Sequence, residues 1–245
     1  MEKDSKLYCK NCESVLEGKY CNNCGQRASV NKVTFKETFQ DFADMVFSVN
    51  APLMLTIKML VVSPGKLFRE YLGGKRKTYY KPVPFFILTT ILFVFIKVLL
   101  NYDPLEGVAI SSDKLNLFNE ASIFMAKNIN NISFVFVFTY AIFLKLFFYK
   151  KKSLVEFVAI SFYTIGFYIL ITTVFIFYLK YVDIDYKATP FILILLFSMY
   201  ALTSLFKTRS ITVLLKISLA YFISVIFYMA IGYSLSFLIV WLKSL

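Results

Sequence analysis

Apolar positions are spread unevenly along this chain, and the lengths of their runs divide it into regions. Beyond Pro82 they come in long stretches with no polar face, at 83–100, 132–148, 154–179, 189–206 and 217–241. A helix that crosses a bilayer needs about 17–25 apolar residues. In hydrocarbon every backbone N–H and C=O must also be paired internally, so helices are expected rather than open strands. The pattern predicts five transmembrane helices. Ahead of them, "PLMLTIKMLVV" begins at Pro52, a residue suited to a first helical turn, and stops at Ser63, Pro64 and Gly65. That run is too short to span, so an interfacial or re-entrant helix is expected. A second short helix restarts at Ser63 and Pro64 and ends at Gly73 and Gly74. Earlier still, "TFKETFQDFADMVFSV" places Phe35, Phe39, Phe42, Val46 and Val49 on one helical face and Glu37, Asp41 and Asp44 on another. Thr34 and Glu37 have the spacing of a capping box. An acidic face suits an anionic membrane poorly, so this helix is expected to pack on the protein's own membrane domain or on a partner, with the lipid surface as the alternative.

Composition agrees with the run lengths. The chain has 245 residues, of which 58% are hydrophobic, against about 45–50% in soluble domains. Its net charge of +12 would suggest nucleic acid in a soluble protein. Here the cations crowd the ends of apolar runs, which is the signature of cytoplasmic loops, and no nucleic-acid partner is expected. Arg69, Lys75, Arg76, Lys77 and Lys81 precede the first run. Lys150, Lys151 and Lys152 separate the second from the third, and Lys207 and Arg209 the fourth from the fifth. The other two connections carry Asp103, Glu106, Asp113 and Glu120, then Asp183 and Asp185. The alternation predicts a cytosolic N-terminus and a C-terminus on the far side. Lys97, Lys145 and Glu156 fall within the runs but near their ends, where long side chains reach the interface. Ala220 and Ser224, Ala230 and Ser234, and Gly232 and Ser236 are each four apart, as is usual where membrane helices approach closely. Packing within the chain is the expected use, and a homo-oligomer face is the other.

The candidate chemistry lies at the N-terminus. Cys9, Cys12, Cys21 and Cys24 form two C-x2-C pairs in "YCKNCESVLEGKYCNNCGQ". A two-residue gap lets both thiolates of a pair face one ion, and two pairs complete a closed tetrahedral sulfur site suited to zinc. So short a segment has no core of its own, and metal binding would supply its folding energy. A closed site leaves no coordination position for a substrate. The segment "MEKDSKLYCK" lacks an apolar centre and is not expected to act as a signal peptide. Reduced thiols and a cytosolic location are consistent with each other.

The fold class expected is an all-α integral membrane protein in three parts. Residues 1–30 form a cytosolic zinc ribbon. Residues 31–82 form amphipathic or re-entrant juxtamembrane helices with a basic cluster, in which Lys75, Arg76, Lys77, Tyr79, Tyr80 and Lys81 suit lipid headgroups or the interface. Residues 83–245 form the transmembrane domain. The closing "CNNCGQ", the "TFKETFQDF" helix, the Pro-Gly step and "YLGGKRKTYYKPVPFF" resemble an uncharacterised bacterial membrane family, domain of unknown function 3667, over roughly the first third of the chain. The resemblance implies a bacterial inner-membrane protein with an N-terminal zinc ribbon, and it carries over no catalytic residue. With no histidine in the chain, no P-loop and no open metal site, no catalytic constellation is visible. The expected role is non-enzymatic: a membrane protein that docks a protein partner, or regulates its spans, through the cytosolic N-terminal region. A transporter or lipid-handling protein is the alternative.

Overall fold

In the computed structural model, residues 8–9, 12–16, 18–24, 52–102, 117–128, 133–181 and 189–244 are described. The chain divides into two compact units, Met1–Phe47 and Ser48–Leu245. The helix expected at 34–49 lies outside the described residues.

The described part of the first unit holds no strand or helix. An isolated antiparallel bridge joins Tyr8 and Val15. The connection around Cys12 turns back sharply: Glu13 N–H donates to the Cys9 carbonyl and Cys9 N–H to the Ser14 carbonyl, both at 2.9 Å. The turn sets Glu13 at φ 58°, in the left-handed region.

The described second unit is all helical. In chain order the helices are α1 (Pro52–Val62), α2 (Pro64–Leu72), α3 (Pro82–Leu99), α4 (Leu117–Asn128), α5 (Ser133–Phe147), α6 (Leu154–Tyr181), α7 (Thr189–Phe206) and α8 (Ile211–Ser244). All five predicted spans are helical, but their lengths differ. Among the described residues three helices are long and apolar enough to cross a membrane: Pro82–Leu99, Leu154–Phe177 and Ile211–Ser244. The other two are shorter apolar helices, Ser133–Phe147 and Phe191–Phe206. α5 has 15 residues, which is roughly 22 Å at the helical rise. It packs against α6 and α8 and buries Phe136, Val137, Tyr140, Ala141 and Leu144, while Phe134, Phe138, Ile142 and Leu146 are exposed. α8 has 34 residues, roughly 51 Å, and runs past both ends of the apolar stretch 217–241. α4 is not among the expected elements, because its stretch has the pattern of a polar connection. It lies along the C-terminal half of α8, with Phe118 and Phe237 rings 5.2 Å apart and Ala121 and Met125 buried.

Helix contacts are made where side chains are small. Gly166 on α6 faces α3, and a Cβ there would sit 3.0 Å from the Phe85 ring and 3.2 Å from the Phe86 Cα. The two helices run parallel: Phe86 meets Phe162 at 5.4 Å, and further along Thr90, Phe93, Tyr168, Ile169 and Thr172 enclose a cavity of about 20 Å³. Ala220, Ser224, Gly232 and Ser236 lie on the buried stripe of α8, in agreement with their four-residue spacing. Ala230 and Ser234 are exposed.

Several tyrosine hydroxyls of the predicted spans find backbone carbonyls, whereas that of Tyr140 is buried with no hydrogen-bond partner among the described residues. Tyr163 donates to the Tyr80 carbonyl. Tyr221 reaches Phe191 at 3.0 Å, and Tyr200 reaches Val61 and Val62 at 3.0 and 2.8 Å. Each exploits the polar tip of an otherwise apolar ring.

Candidate functional site

The four cysteines converge. Their sulfurs all lie within 4.8 Å of one another. Cys9 Sγ is 3.5 Å from Cys24 Sγ and Cys12 Sγ is 3.5 Å from Cys21 Sγ, so the nearest neighbours come from different C-x2-C pairs. A disulfide would bring two sulfurs to about 2.05 Å. A tetrahedral ion with metal–sulfur bonds of about 2.3 Å would hold them roughly 3.8 Å apart. The observed spacing fits the second geometry, and the donor set can hold a metal ion. Cys9 and Cys21 are buried, whereas Cys12 is half-buried and Cys24 exposed. Hydrogen bonding to the Ser14 side chain and then to its backbone draws the Cys12 thiol down to about 6, which favours the thiolate that metals take. With four sulfur ligands, an ion here would have a filled tetrahedron and a structural role.

The basic segment is built differently from its sequence reading. α2 ends on a left-handed cap. Gly73 N–H bonds back to Arg69, Gly74 N–H to Tyr71 and Lys75 N–H to Glu70, at 2.9, 3.2 and 3.0 Å. Gly74 takes φ 110°, which strains any residue with a Cβ. Of the six residues expected at the interface, Lys75, Arg76, Lys77 and Lys81 are exposed, and Tyr79 and Tyr80 are buried. Tyr79 OH donates to Glu70 Oε2 at 2.5 Å, and Lys75 Nζ reaches Glu70 Oε1 at 3.1 Å. These two donors, Tyr79 foremost, hold the Glu70 carboxyl below the usual carboxylate range. Burial, reinforced by the facing carboxylate, pushes Tyr79 up to about 12. Tyr80 N–H donates to Thr56 Oγ1 at 2.9 Å. Both tyrosines therefore serve as internal anchors of the segment.

The Ser63–Gly65 step docks on the end of α7. A Cβ on Gly65 would fall 2.1 Å from the Ser204 carbonyl carbon and 2.3 Å from Leu205 N, so glycine alone fits. Gly65 N–H donates to Ser204 Oγ at 3.2 Å. One turn on, Arg69 Nη1 donates to the carbonyls of Ser204 at 2.5 Å and Leu205 at 3.0 Å. Those carbonyls belong to the last turn of α7, where a cation also meets the negative end of the helix dipole. The sequence marks Arg69 only as a topogenic charge, because the helix it caps lies far along the chain.

The charges within the spans are accounted for locally. Lys145 Nζ donates to the carbonyls of Tyr149 at 2.5 Å and Lys152 at 2.9 Å. Glu156 closes a capping box: Ser153 N–H donates to its carboxylate at 2.7 Å and Glu156 N–H to Ser153 Oγ at 3.2 Å. The S-x-x-E spacing of Ser153 and Glu156 would have revealed this role in the sequence. Lys97 lies in the last turn of α3.

Fold and site together define an all-helical protein with membrane-type helices, joined in sequence to a four-cysteine cluster able to hold a metal. Residues 51–94 match the model of a family described as "Protein of unknown function (DUF3667)", which bears out the resemblance over that segment. The segment runs from α1 into α3 and contains Gly65, Arg69, Gly74, Tyr79 and Tyr80. The cysteine pairs and residues 34–49 lie outside it. No curated protein and no solved structure matches the chain.

Proposed function

We propose that this chain is a non-enzymatic, multi-pass membrane protein whose N-terminal thiolate cluster holds one zinc ion and forms a cytosolic docking module for a protein partner. The convergence of the four sulfurs within 4.8 Å carries this reading, because an ion there would fold a short segment that has no core of its own. A filled sulfur tetrahedron presents no site for substrate, which favours binding over catalysis. Five spans, an N-terminus inside the cell and a C-terminus outside, in a bacterial inner membrane, are part of the proposal. The alternating basic loops support that orientation.

The test is metal analysis of the full chain purified in mild detergent, followed by cross-linking in intact membranes. About one zinc per chain is expected, released by a chelator. A Cys9→Ser, Cys21→Ser variant that still inserts should lose both the zinc and the protein cross-links made by residues of the first unit. Zinc-free wild-type protein overturns the metal assignment. A variant that lacks zinc but keeps every cross-link overturns the docking role.

A further inference from the structure

Three connections that are distant in sequence meet at one end of the second unit. Phe148, in the turn after α5, stacks on Phe206, the last residue of α7, at 4.8 Å. α2 reaches the same end of α7 through Gly65 and Arg69. These contacts gather Arg76 and Lys77, Lys150 and Lys151, and Lys207 and Arg209, all exposed, around the end of one bundle. Among the described residues, the carboxylates beside these loops are already paired. Glu70 is taken by Lys75 at 3.1 Å and Glu156 by Lys152 at 2.8 Å. Apolar surface adjoins each half of the patch: Leu146 is 66% exposed, Val155 78% and Ile211 74%. Exposed Tyr149, with Lys150 Nζ 5.5 Å from its ring centroid, is the type of aromatic found at headgroup depth.

We infer that this end is a binding surface for anionic phospholipid, with the phosphate and headgroup on the six cations and the acyl chains along the neighbouring apolar residues. A phosphodiester polymer would use the cations but not the apolar surface beside them, and this juxtaposition favours lipid over nucleic acid. The surface is wider than the 75–81 segment and differs from it in membership. Lys75 is committed to Glu70, and the two tyrosines are inside. The inference rests on the membrane-spanning reading and is independent of the thiolate cluster.

The experiment is thermal unfolding and native mass spectrometry of the full chain in detergent, with added phosphatidylglycerol or phosphatidylcholine. Phosphatidylglycerol is expected to raise the midpoint and remain bound, phosphatidylcholine to do neither, and about 0.5 M salt to weaken the effect. Each cation replaced in a K150Q/K151Q/K207Q/R209Q series should lower phosphatidylglycerol affinity roughly fivefold. Equal stabilisation by the two lipids overturns the inference. So does equal protection by inorganic phosphate or a short oligonucleotide. Should the variants fail to insert, the lipid preference of the wild-type chain and its salt dependence decide. The Cys9→Ser, Cys21→Ser protein should keep the preference whatever becomes of its partner, which separates the two proposals.

Discussion

Two glycines in "SPGKLFREYLGG" are constrained for different reasons, and their substitutions should differ in size. Gly65 is held by proximity, because its Cα lies against the backbone of Ser204 and Leu205. Gly65→Ala must push α2 off α7 and should cost about 3 kcal/mol, at the upper end of overpacking changes. Gly74 has open space where a Cβ would go but sits at φ 110°. Gly74→Ala should cost about 1 kcal/mol from backbone strain alone. Unfolding midpoints in detergent will rank the two. Glu70 and Tyr79 set a pH window for the same segment. The depressed carboxyl of Glu70 contributes stability above its unfolded pKa, and that stability is lost as pH falls through the folded value. Tyr79, raised from 10.0 to about 12, contributes below its unfolded value and ceases to as pH climbs through the raised one. Amide protection across 70–80, taken relative to intrinsic exchange at each pH, should therefore be greatest between roughly pH 5 and 10. Tyr79→Phe should remove the alkaline limb. An exchange profile unchanged by that substitution would show that the contact does not hold the segment.

Among the elements, the pair α1–α2 buries Leu60, Leu67 and Phe68 in the core and is also held by specific bonds to α7. Arg69 supplies two of these bonds, to Ser204 and Leu205, and Tyr200 shares its single hydroxyl proton between the last two carbonyls of α1. Arg69→Met keeps the apolar stem and removes both Nη1 bonds, and should cost about 2 kcal/mol, the range for hydrogen bonds to a charged group. Arg69→Lys should recover less than half of that, since both bonds leave Nη1 and the shorter lysine stem does not carry its ammonium as far. Protease sensitivity near Ser63 and the unfolding midpoint would read both variants; identical behaviour of Lys and Arg would show that charge alone suffices. The matched family segment, 51–94, contains the α2 side of this junction, while Tyr200 and Ser204 lie far beyond it. The Ser153–Glu156 capping box was readable from spacing. The α2–α7 junction was not, since its partners are 139 residues apart and any Gly or Arg in the chain has the same composition.

In the molecule as a whole, up-and-down connectivity brings the turn after α5 and the turn after α7 to the same end of the second unit, as the stacked Phe148 and Phe206 show. Membrane-impermeant thiol labelling of Lys151→Cys and Arg209→Cys, placed in a chain with its other cysteines replaced, should therefore label both from the same side of the membrane. Labelling from opposite sides would overturn the packing of α5, α6 and α7. This expectation does not depend on which side is cytosolic, so it tests the fold apart from the orientation.

Run length, charge alternation and cysteine spacing were enough to place the helices after Pro82 other than α4, to mark which connections are basic and to mark four cysteines able to hold one metal ion. Each of these is a property of neighbouring residues, and lipid and metal act on neighbours directly: a bilayer selects runs of hydropathy, and an ion selects thiolates a fixed step apart. Three features depended on contacts between distant segments: the burial of Tyr79 and Tyr80, the use of Gly65 and Arg69 against α7, and the gathering of three basic loops around one surface. Which small residue meets which backbone is settled by close packing among helices whose apolar faces are otherwise interchangeable, and one sequence carries no local mark of that choice.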